Sequence, residues 1–297
     1  MNILVSGGTG LVGRYVVDGL LAAGHAVSVG ARNRPADTLF AAPVSFRPLA
    51  LSPEHDQSAV FAGIEAFVHL AFDHQPGRYR GGEGTDPQKF RRLNLDGSVQ
   101  LFEQAKVSGV TRCIFLSSRA VYDGLPPGTV LREDLSLDPD SVYGRIKLDA
   151  EQTLAALSSP QFTTASLRAT GVYGDYRPNK WDGLFEDFCA QRPVASRAGS
   201  EVHGADVAAA IHLLLEAEKD AVSGRSFNVS DIVTDTHEIL KVYADATGQQ
   251  HPLPAIADRS AVNVMDTSQL RSLRWRPGGM PFLERTVTTL ARAGQRD

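Results

Sequence analysis

Cysteine is scarce in this sequence of 297 residues, which contains only Cys113 and Cys189. Two cysteines are too few for the disulfide framework of a small secreted domain or for a cysteine-based zinc site. Cys113 stands within an apolar segment, where a free thiol behaves as a small hydrophobic side chain. The sequence therefore predicts no metal site and a reducing compartment, and the cytoplasm is the expected location.

An excess of charge of either sign is also missing. The chain has 30 basic and 34 acidic residues, and its basic residues are scattered along the sequence. This balance gives no electrostatic footprint for nucleic acid. No apolar run approaches the roughly 18 residues that a membrane-spanning helix needs, and no signal-peptide pattern precedes the first apolar segment. We therefore expect a globular protein whose partner is a small-molecule substrate, with neither nucleic acid nor membrane as a partner.

What the sequence does contain is a tyrosine and a lysine four residues apart, Tyr143 and Lys147, in a segment with helical periodicity. Residues with this spacing lie on one face of a helix. A lysine ammonium beside a phenol stabilises the phenolate and lowers the pKa of the tyrosine toward neutrality. The pair therefore predicts general acid–base chemistry at physiological pH. By itself the match is weak, because it also describes a surface helix with a solvated lysine.

A glycine-rich turn follows the first apolar segment, at residues 3–5, and precedes a helix predicted over residues 14–23. Strand, glycine turn and helix in this order form the context of a dinucleotide-binding fingerprint, here with the spacing GxxGxxG. Gly7 permits the tight turn, Gly10 lets the backbone approach a pyrophosphate, and Gly13 lets the helix pack close to the strand. The free N–H groups of the helix amino terminus are then expected to bind the phosphates.

Strand-like and helix-like segments alternate through the first half of the chain. Such alternation is typical of βαβ units, in which parallel strands form one sheet and helices cover both faces. We therefore predict a doubly wound α/β fold of the Rossmann type with a sheet of about seven mostly parallel strands. Helices are expected at residues 58–62, 90–108 and 142–157, and further strands at residues 26–29, 45–46, 66–70, 112–116 and 164–167.

The alternation loosens after residue 172, where loop-like segments become more frequent. We expect residues 1–172 to form a dinucleotide-binding domain and residues 173–297 to form a smaller, C-terminal substrate-binding region. Helical and apolar patterns return at residues 203–230, which predicts that this part of the chain rejoins the core of the first domain.

Several motifs, in this order, resemble those of the extended short-chain dehydrogenases/reductases, also called the NAD-dependent epimerase/dehydratase family. The resemblance covers nearly all of the chain. Residues 7–13 are similar to the family's phosphate-binding loop, and Tyr143 with Lys147 is similar to its catalytic pair. The other matching segments are residues 68–71, 94–98, 115–122, 167–174, 203–207, 227–229 and 273–277.

The resemblance implies a catalytic group of Ser118, Tyr143 and Lys147. Tyr143 would transfer the proton at the reacting oxygen, Ser118 would hold that oxygen, and Lys147 would tune the tyrosine and bind the nicotinamide ribose. Hydride transfer itself is the chemistry of the cofactor. The cofactor-binding residues implied are Gly7, Thr9, Gly10, Leu11, Val12, Gly13, Arg32, Leu70, Ala71, Asn94 and Val172, together with Tyr143 and Lys147. For Asn94, the alternative is a structural role in which its side chain bonds the backbone.

The segment after the second strand departs from the family's pattern. Family members commonly carry an acidic residue there that binds the adenosine ribose, whereas this chain has Arg32 and no carboxylate before Asp37. An arginine at this place can pair with a 2′-phosphate. The sequence therefore favours NADP over NAD, with NAD as the alternative; an Arg32 that merely stacks on adenine is the other interpretation.

A second departure concerns the substrate. Sugar-nucleotide members of the family usually carry an asparagine that contacts the nucleotide diphosphate where this chain has Gly171, and they insert more sequence between their equivalents of Gly174 and His203. A smaller pocket is therefore expected. It favours an NAD(P)-dependent oxidoreductase that transfers a hydride to or from a small carbonyl or alcohol, such as a sugar, a sugar acid or an aldehyde.

Two other functions stay open. The first is a nucleotide-sugar 4-epimerase or dehydratase, although dehydratases usually have acidic residues after the catalytic serine, where this chain has Arg119 and Ala120. The second is an NADP-binding sensor or scaffold without turnover. Intact Ser118, Tyr143 and Lys147 argue against it, because such relatives often lose the tyrosine or the lysine.

The candidate substrate contacts lie in loops that follow the strands. Arg119 and Asp123 flank the serine motif where many relatives have small residues, so they are the leading candidates for polar recognition. The remaining candidates are Phe72, Asp73, His74, Tyr173, Arg177 and Trp181. The resemblance also implies a homodimer built from the helices of Asn94 and Tyr143, where apolar residues such as Leu95, Val99 and Leu148 permit the contact.

Overall fold

The structure is a computed structural model and describes residues 1–75, 82 and 84–294. The strands within these residues are β1 (Asn2–Ser6), β2 (Ala26–Ala31), β3 (Ser45–Pro48), β4 (Ala66–His69), β5 (Arg112–Ser118), β6 (Thr163–Ala169), β7 (Gly171–Tyr173), β8 (Ala198–His203), β9 (Arg225–Val229) and β10 (Ile232–Asp235). The helices are α1 (Leu11–Ala22), α2 (Pro87–Arg91), α3 (Gly97–Val107), α4 (Val142–Ala156), α5 (Asp182–Cys189), α6 (Gly204–Glu216), α7 (Lys219–Val222), α8 (Thr236–Thr247), α9 (Ser268–Ser272) and α10 (Gly279–Gly294).

One parallel sheet of seven strands forms the centre of the molecule, with the order β3-β2-β1-β4-β5-β6-β9. The central strands β1 and β4 are largely apolar, with side chains such as Ile3, Val5 and Val68 fully buried, because both faces of the sheet are covered. The strand order reverses between β1 and β4. In such sheets the crevice outside the carboxyl ends of the strands at this reversal binds the ligand. The predicted fold class is confirmed.

Helices cover the two faces of the sheet. On one face, α1 and α6 pack through apolar residues such as Leu20 and Ile211. On the other face, α3 and α4 pack through residues such as Leu101 and Ile146. Helices that connect parallel strands run opposite to them, so the amino termini of α1 and α4 lie at the carboxyl edge of the sheet. This arrangement brings the glycine turn and Tyr143 to the same edge.

A second sheet of three strands, ordered β10-β8-β7, lies in the C-terminal half. It packs with α5, α8 and α10 around a separate apolar cluster that includes Tyr173, Phe185, Leu240 and Leu283. β9 returns to the main sheet beside β6, within the segment expected to rejoin the core. The division after residue 172 stays a prediction, and β7 spans that position.

The long helix expected at residues 90–108 is interrupted. α2 ends at Arg91, a single π-helical turn occupies Arg92–Asp96, and α3 begins at Gly97. Two side chains bond main-chain carbonyl groups in this turn: Asn94 Nδ2 donates to Phe90 O (3.0 Å), and Ser98 Oγ donates to Asn94 O (2.6 Å). π-Turns of this kind occur often at functional sites. Periodicity alone does not reveal the interruption, because the apolar face continues through it.

Other boundaries differ by less. α1 starts at Leu11, three residues before the expected start, because Gly10 has extended backbone and serves as the N-cap. The helix expected at residues 58–62 is one 3₁₀ turn, Ser58–Phe61. No helix in the part of the chain that the structure describes is both long and apolar enough to cross a membrane.

Candidate active site

The glycine turn after β1 leaves no room for side chains. Gly7 has a φ of +70°, a conformation that favours glycine, and a Cβ there would lie 2.7 Å from the main-chain nitrogen of Ala71. A Cβ on Gly13 would overlap the carbonyl oxygen of Gly7. The structure thus brings the turn against Ala71, which follows β4 closely along the chain. Gly7 is required by its positive φ and by this close approach, and Gly13 by the packing of α1 against the turn.

The amino terminus of α1 is open to a ligand. Gly10 caps the helix without any side-chain hydrogen bond, and the first turn carries no acidic residue. The first N–H groups of a helix lack partners within it, and the helix dipole is positive at this end. Thr9 and Gly10 are exposed, and Leu11 and Val12 are half-buried. This cradle fits the pyrophosphate of a dinucleotide.

Arg32, which directly follows β2, is the residue expected to bind the adenosine side of the cofactor. Its side chain is 77 % exposed, and its Nη1 atom lies 3.7 Å from Asp73 Oδ1. Exposed pairs of this kind contribute little to stability, so Arg32 remains available to another anion. Asp73 was predicted as a substrate contact, and the structure places its carboxylate beside Arg32.

Ser118 and Tyr143 occupy the same edge of the sheet. Ser118 is the last residue of β5, and its Oγ accepts a hydrogen bond from Ala120 N (3.1 Å), which fixes the hydroxyl oxygen while its proton can still be donated. Tyr143 lies in the first turn of α4. The rings of Tyr143 and Phe72 pack edge to face, with their centroids 5.0 Å apart. Phe72 therefore orients the tyrosine.

Lys147 is buried one turn further along α4, with 4 % of its surface exposed. Its Nζ donates to Leu116 O (2.7 Å), two residues before Ser118, and lies 6.0 Å from the centroid of the Tyr143 ring. The rings of Phe72 and Phe115 also contact the amine, at 4.7 and 4.6 Å from their centroids. Lys147 thus ties α4 to the end of β5. Its predicted contact with a ribose stays a prediction.

The pKa of Lys147 is lowered from its usual value to about 7, because burial removes the ammonium from water. The negative charge of Glu151, one turn further along α4, opposes this shift. The amine therefore titrates near neutral pH, and Glu151 helps to keep it protonated.

Glu151 itself belongs to a buried network behind the site. Arg168 Nη2 donates to Glu151 Oε2 (2.8 Å), and Arg168 Nε lies 3.1 Å from both carboxylate oxygens. Arg168 Nη1 donates to the hydroxyl of Tyr122 (2.8 Å), which in turn donates to Asn228 Oδ1 (2.8 Å). The network joins α4, β6, β9 and the turn after β5. Sequence reasoning missed it, although the four-residue spacing of Lys147 and Glu151 was a signal.

Asn94 was predicted to bind the cofactor, with a structural role as the alternative, and in the structure its side chain hydrogen-bonds the backbone. Its Oδ1 accepts from Asp73 N (2.6 Å), and its Nδ2 donates to Asp73 O (2.8 Å) and to Phe90 O. The side chain is buried and engages the backbone, which is the structural alternative. Asn94 therefore holds the loop that carries Phe72 over Tyr143.

Tyr173 and Trp181, which were predicted to contact the substrate, are buried, and their contact with a substrate stays a prediction. Tyr173 has no exposed surface and Trp181 only 5 %, and their rings stack with centroids 5.3 Å apart. Both belong to the apolar cluster of the small sheet, where Tyr173 ends β7 and Trp181 directly precedes α5. Val172, a predicted cofactor contact, is half-buried in β7 and pairs with Val202.

Arg119 and Asp123 lie near the site but have partners within the protein. Arg119 Nη2 donates to Asn263 O (3.4 Å). Asp123 Oδ2 accepts from Ser141 Oγ (2.7 Å), and Ser141 caps the amino terminus of α4 by accepting from Gly144 N (3.0 Å). Asp123 thus supports the start of the helix that carries Tyr143. Their roles in recognising a substrate stay predictions.

A partly exposed ion pair, Lys180 with Glu201, lies at Gly171. A Cβ on Gly171 would lie 2.6 Å from Glu201 Oε2, and Lys180 Nζ donates to the same carboxylate oxygen at 2.5 Å. Burial raises the pKa of Glu201, and Lys180 opposes this shift. Ala169, two residues before Gly171, pairs with Ser118 in the sheet. The pair therefore stands close to the carboxyl edge on which Ser118 lies.

An α/β sheet with a glycine cradle at its strand reversal defines the class of dinucleotide-binding proteins. The chain belongs to the NAD dependent epimerase/dehydratase family, whose model matches residues 3–230. It is therefore a member of an enzyme family, and the resemblance seen in the motifs is confirmed.

Several proteins to which the chain is similar are UDP-glucose 4-epimerases. The chain is 28% identical over 305 residues to a UDP-glucose 4-epimerase of Mycolicibacterium smegmatis, covering 93% of this chain and 94% of that one. It is 26% identical over 300 residues to UDP-glucose 4-epimerase 2 of Oryza sativa, covering 85% and 71%. The structure of Thermus thermophilus UDP-glucose 4-epimerase complexed with NAD superposes with a TM-score of 0.78 at 25% identity, covering 98% and 99%. These relatives support the epimerase/dehydratase alternative better than a simple oxidoreductase.

Alanine substitutions at Gly10 and Gly13 should affect dinucleotide binding and the stability of the fold differently. We expect Gly13→Ala to destabilise the fold by about 1–3 kcal/mol, because its Cβ overlaps the Gly7 carbonyl. At Gly10 the nearest atom to a Cβ is Gly7 O at 3.4 Å, an ordinary contact. Gly10→Ala should therefore change stability by less than about 1 kcal/mol but weaken dinucleotide binding. Urea unfolding and calorimetry with NAD measure the two effects. Equal losses of stability in both variants would contradict the geometry.

Proposed function

We propose that this protein is an NAD(P)-dependent enzyme that oxidises a secondary alcohol of a nucleotide sugar and returns the hydride to the resulting ketone, as a 4-epimerase does. The observation that carries the proposal is the position of Ser118 and Tyr143 at one sheet edge, beside the glycine cradle of a dinucleotide. The 4-epimerase relatives support this reaction over a net oxidation.

In the proposed reaction, Tyr143, Ser118 and Lys147 have different roles. Tyr143 takes the hydroxyl proton of the substrate when the alcohol is oxidised and returns it when the ketone is reduced. Ser118 donates its hydroxyl proton to the same oxygen. Lys147, held by Leu116 O, supplies positive charge near the phenol and is placed to approach a ribose hydroxyl. A bound nicotinamide would supply the hydride acceptor and donor for this reaction.

The experiment uses UDP-glucose as the probe with NAD and, separately, with NADP. An epimerase converts UDP-glucose to UDP-galactose without net accumulation of reduced nicotinamide, because the hydride returns to the substrate. A dehydratase releases water and leaves a keto sugar. Chromatography of the nucleotide sugars, together with nicotinamide absorbance, distinguishes these results. Failure of UDP-glucose and of a panel of other nucleotide sugars to react would refute the proposal.

A simple dehydrogenase or reductase acting on a substrate without a nucleotide is the second candidate. The pair of Glu201 and Lys180 favours it, because the Glu201 carboxylate fills the space that an asparagine side chain at position 171 would need. Net production of reduced nicotinamide from uronic acids, free sugars or alcohols, with no turnover of nucleotide sugars, would establish this candidate. A sensor or scaffold would bind the dinucleotide and convert neither group of compounds.

Preference between the two cofactors should depend on Arg32. The family description and the structural relative favour NAD, whereas the missing acidic residue and the exposed guanidinium of Arg32 support binding of NADP. A hydrogen bond to a charged group contributes about 1.5–3 kcal/mol. We therefore expect Arg32→Ala to weaken NADP binding by about ten- to a hundredfold and to leave NAD binding nearly unchanged.

Calorimetry with both cofactors measures this change. Arg132→Ala is the matched control, because Arg132 is also exposed and paired with an aspartate, at 3.1 Å. Equal losses for NAD and NADP in Arg32→Ala would show that Arg32 stacks on adenine or acts on the loop, and that the 2′-phosphate is not its partner.

The assembly and the location also remain proposals. Leu95 is buried, and Val99 and Leu148 are partly buried, in the segments from which the family resemblance implies a dimer. We propose a homodimer in the cytoplasm. Sedimentation of the wild type and of a Val99→Glu variant tests the dimer.

A further inference from the structure

A cluster of metal-binding side chains lies outside the site described above. His25 Nε2 lies 3.2 Å from His212 Nδ1 and 3.8 Å from Glu216 Oε1. All three atoms lie within 4.8 Å of one another. His25 stands between α1 and β2, whereas His212 and Glu216 are four residues apart on α6. Residues with this spacing lie on one face of a helix, so both can reach a single ion.

The distances suit a tetrahedral ion. Ligand atoms that lie about 2.0–2.1 Å from zinc are about 3.3–3.4 Å apart. The two imidazole nitrogens are already at 3.2 Å, with ring centroids 5.2 Å apart. The carboxylate of Glu216 is farther away but 54 % exposed, so rotation of this side chain can close the remaining gap. The His25 side chain is only 8 % exposed, which fixes one ligand firmly.

Alternative explanations of the pair are weaker. A hydrogen bond between the two neutral imidazoles would engage one nitrogen of each ring and would not involve the carboxylate of Glu216, which lies 3.8 Å from His25 Nε2. The pKa of His25 is lowered by burial, by the amino terminus and by His212, while Glu216 opposes this shift. An uncharged imidazole is the form that binds a metal. We propose that His25, His212 and Glu216 bind a divalent transition-metal ion of the zinc class, with water in a fourth position.

The location indicates a structural task. His25 directly precedes β2, and Glu216 ends α6, so the cluster lies at the amino edge of the sheet, opposite to the glycine cradle. α1 has 12 residues and separates the two places by about 18 Å. α1 and α6 pack closely, since a Cβ on Gly19 would meet the Cβ of Ala208 at 3.0 Å. A bound ion would lock the carboxyl ends of these two helices together.

The test adds Zn²⁺ to chelator-treated full-length protein, with Mg²⁺ as a hard-cation control. We expect about one Zn²⁺ per chain, a higher Tm with Zn²⁺ but not with Mg²⁺, and unchanged affinity for NAD. Co²⁺ in place of Zn²⁺ should give the visible spectrum of a tetrahedral site. The readouts do not involve turnover, so they stand apart from the proposed function.

Removing a ligand should weaken Zn²⁺ binding by roughly tenfold or more, since even the partners of metal ligands contribute that much. The variants are His212→Gln and Glu216→Gln, and the exposed Glu216 keeps the test valid if the histidine variant folds poorly. His55→Gln is the control, because His55 is an exposed histidine elsewhere. Loss in both variants but not in the control supports the site. Zn²⁺ binding that is absent, or equal in all four proteins, would leave only a histidine hydrogen bond and overturn the proposal.

Discussion

Replacing Tyr143 by phenylalanine should lower kcat by about 10²- to 10⁴-fold, the usual contribution of general acid–base catalysis. The substitution removes one oxygen atom and keeps the ring that packs edge-on against Phe72. Affinity for the dinucleotide should therefore stay nearly unchanged. Steady-state kinetics with whichever nucleotide sugar the screen shows to react, and calorimetry with the cofactor, measure the two quantities.

Tyr243→Phe is the matched control, because Tyr243 lies in α8, within the apolar cluster of the small sheet. It should leave kcat within a few-fold of the wild type. Ser118→Ala should lower kcat with little change in cofactor binding, whereas Lys147→Ala should damage both. A Tyr143→Phe variant that retains more than about half of the wild-type kcat would show that this tyrosine does not transfer the proton.

Much of this architecture follows from local sequence patterns. The glycine turn predicted the cradle because the backbone conformation at Gly7 and the close approach at Gly13 exclude other residues locally. The four-residue spacing of Tyr143 and Lys147 predicted that both lie on one face of α4, because residues four apart are neighbours on a helix surface. The parallel sheet followed from apolar strands that alternate with helices.

What sequence reasoning missed depends on contacts between distant segments. Arg168 was recognised only as part of a motif, and its partner Glu151 lies on another element of the fold. Tyr173 and Trp181 were assigned to a substrate because nothing in their neighbourhood shows the second core. His25 and His212 are 187 residues apart, so no spacing pattern could suggest their contact. Asn94, in the π-turn, hydrogen-bonds the backbone of Asp73, which lies 21 residues earlier in the chain.

The second large effect is expected at Glu151. Its carboxylate and the guanidinium of Arg168 are 3 % and 6 % exposed, and their closest atoms are 2.8 Å apart. Removing one partner of a buried pair leaves an uncompensated charge, which destabilises a protein by about 3–5 kcal/mol. We expect Glu151→Gln to lose about this free energy of unfolding, measured by urea denaturation.

The same helix offers a matched control. Asp149 accepts a hydrogen bond from Arg91 at 3.0 Å, but both side chains are about half exposed, at 41 % and 52 %. Surface pairs contribute about 0–1 kcal/mol. Asp149→Asn should therefore have a small effect. A similar loss of stability in the Glu151 and Asp149 variants would mean that the buried network does not carry the stability assigned to it.

Glu151 also acts on Lys147, and a double variant separates this electrostatic role from stability. Burial lowers the pKa of Lys147 to about 7, and the charge of Glu151 opposes the shift. Without that charge the pKa falls further, so the amine loses its proton at a lower pH. If the ammonium supports the proton transfer by Tyr143, the alkaline limb of the kcat/KM profile should move to lower pH in Glu151→Gln.

Replacing both Glu151 and Arg168 by methionine should restore much of the stability, because no unpaired buried charge remains. The profile should nevertheless stay displaced, since the carboxylate is still absent. A double variant that regains both stability and the wild-type profile would show that Glu151 acts on the fold alone.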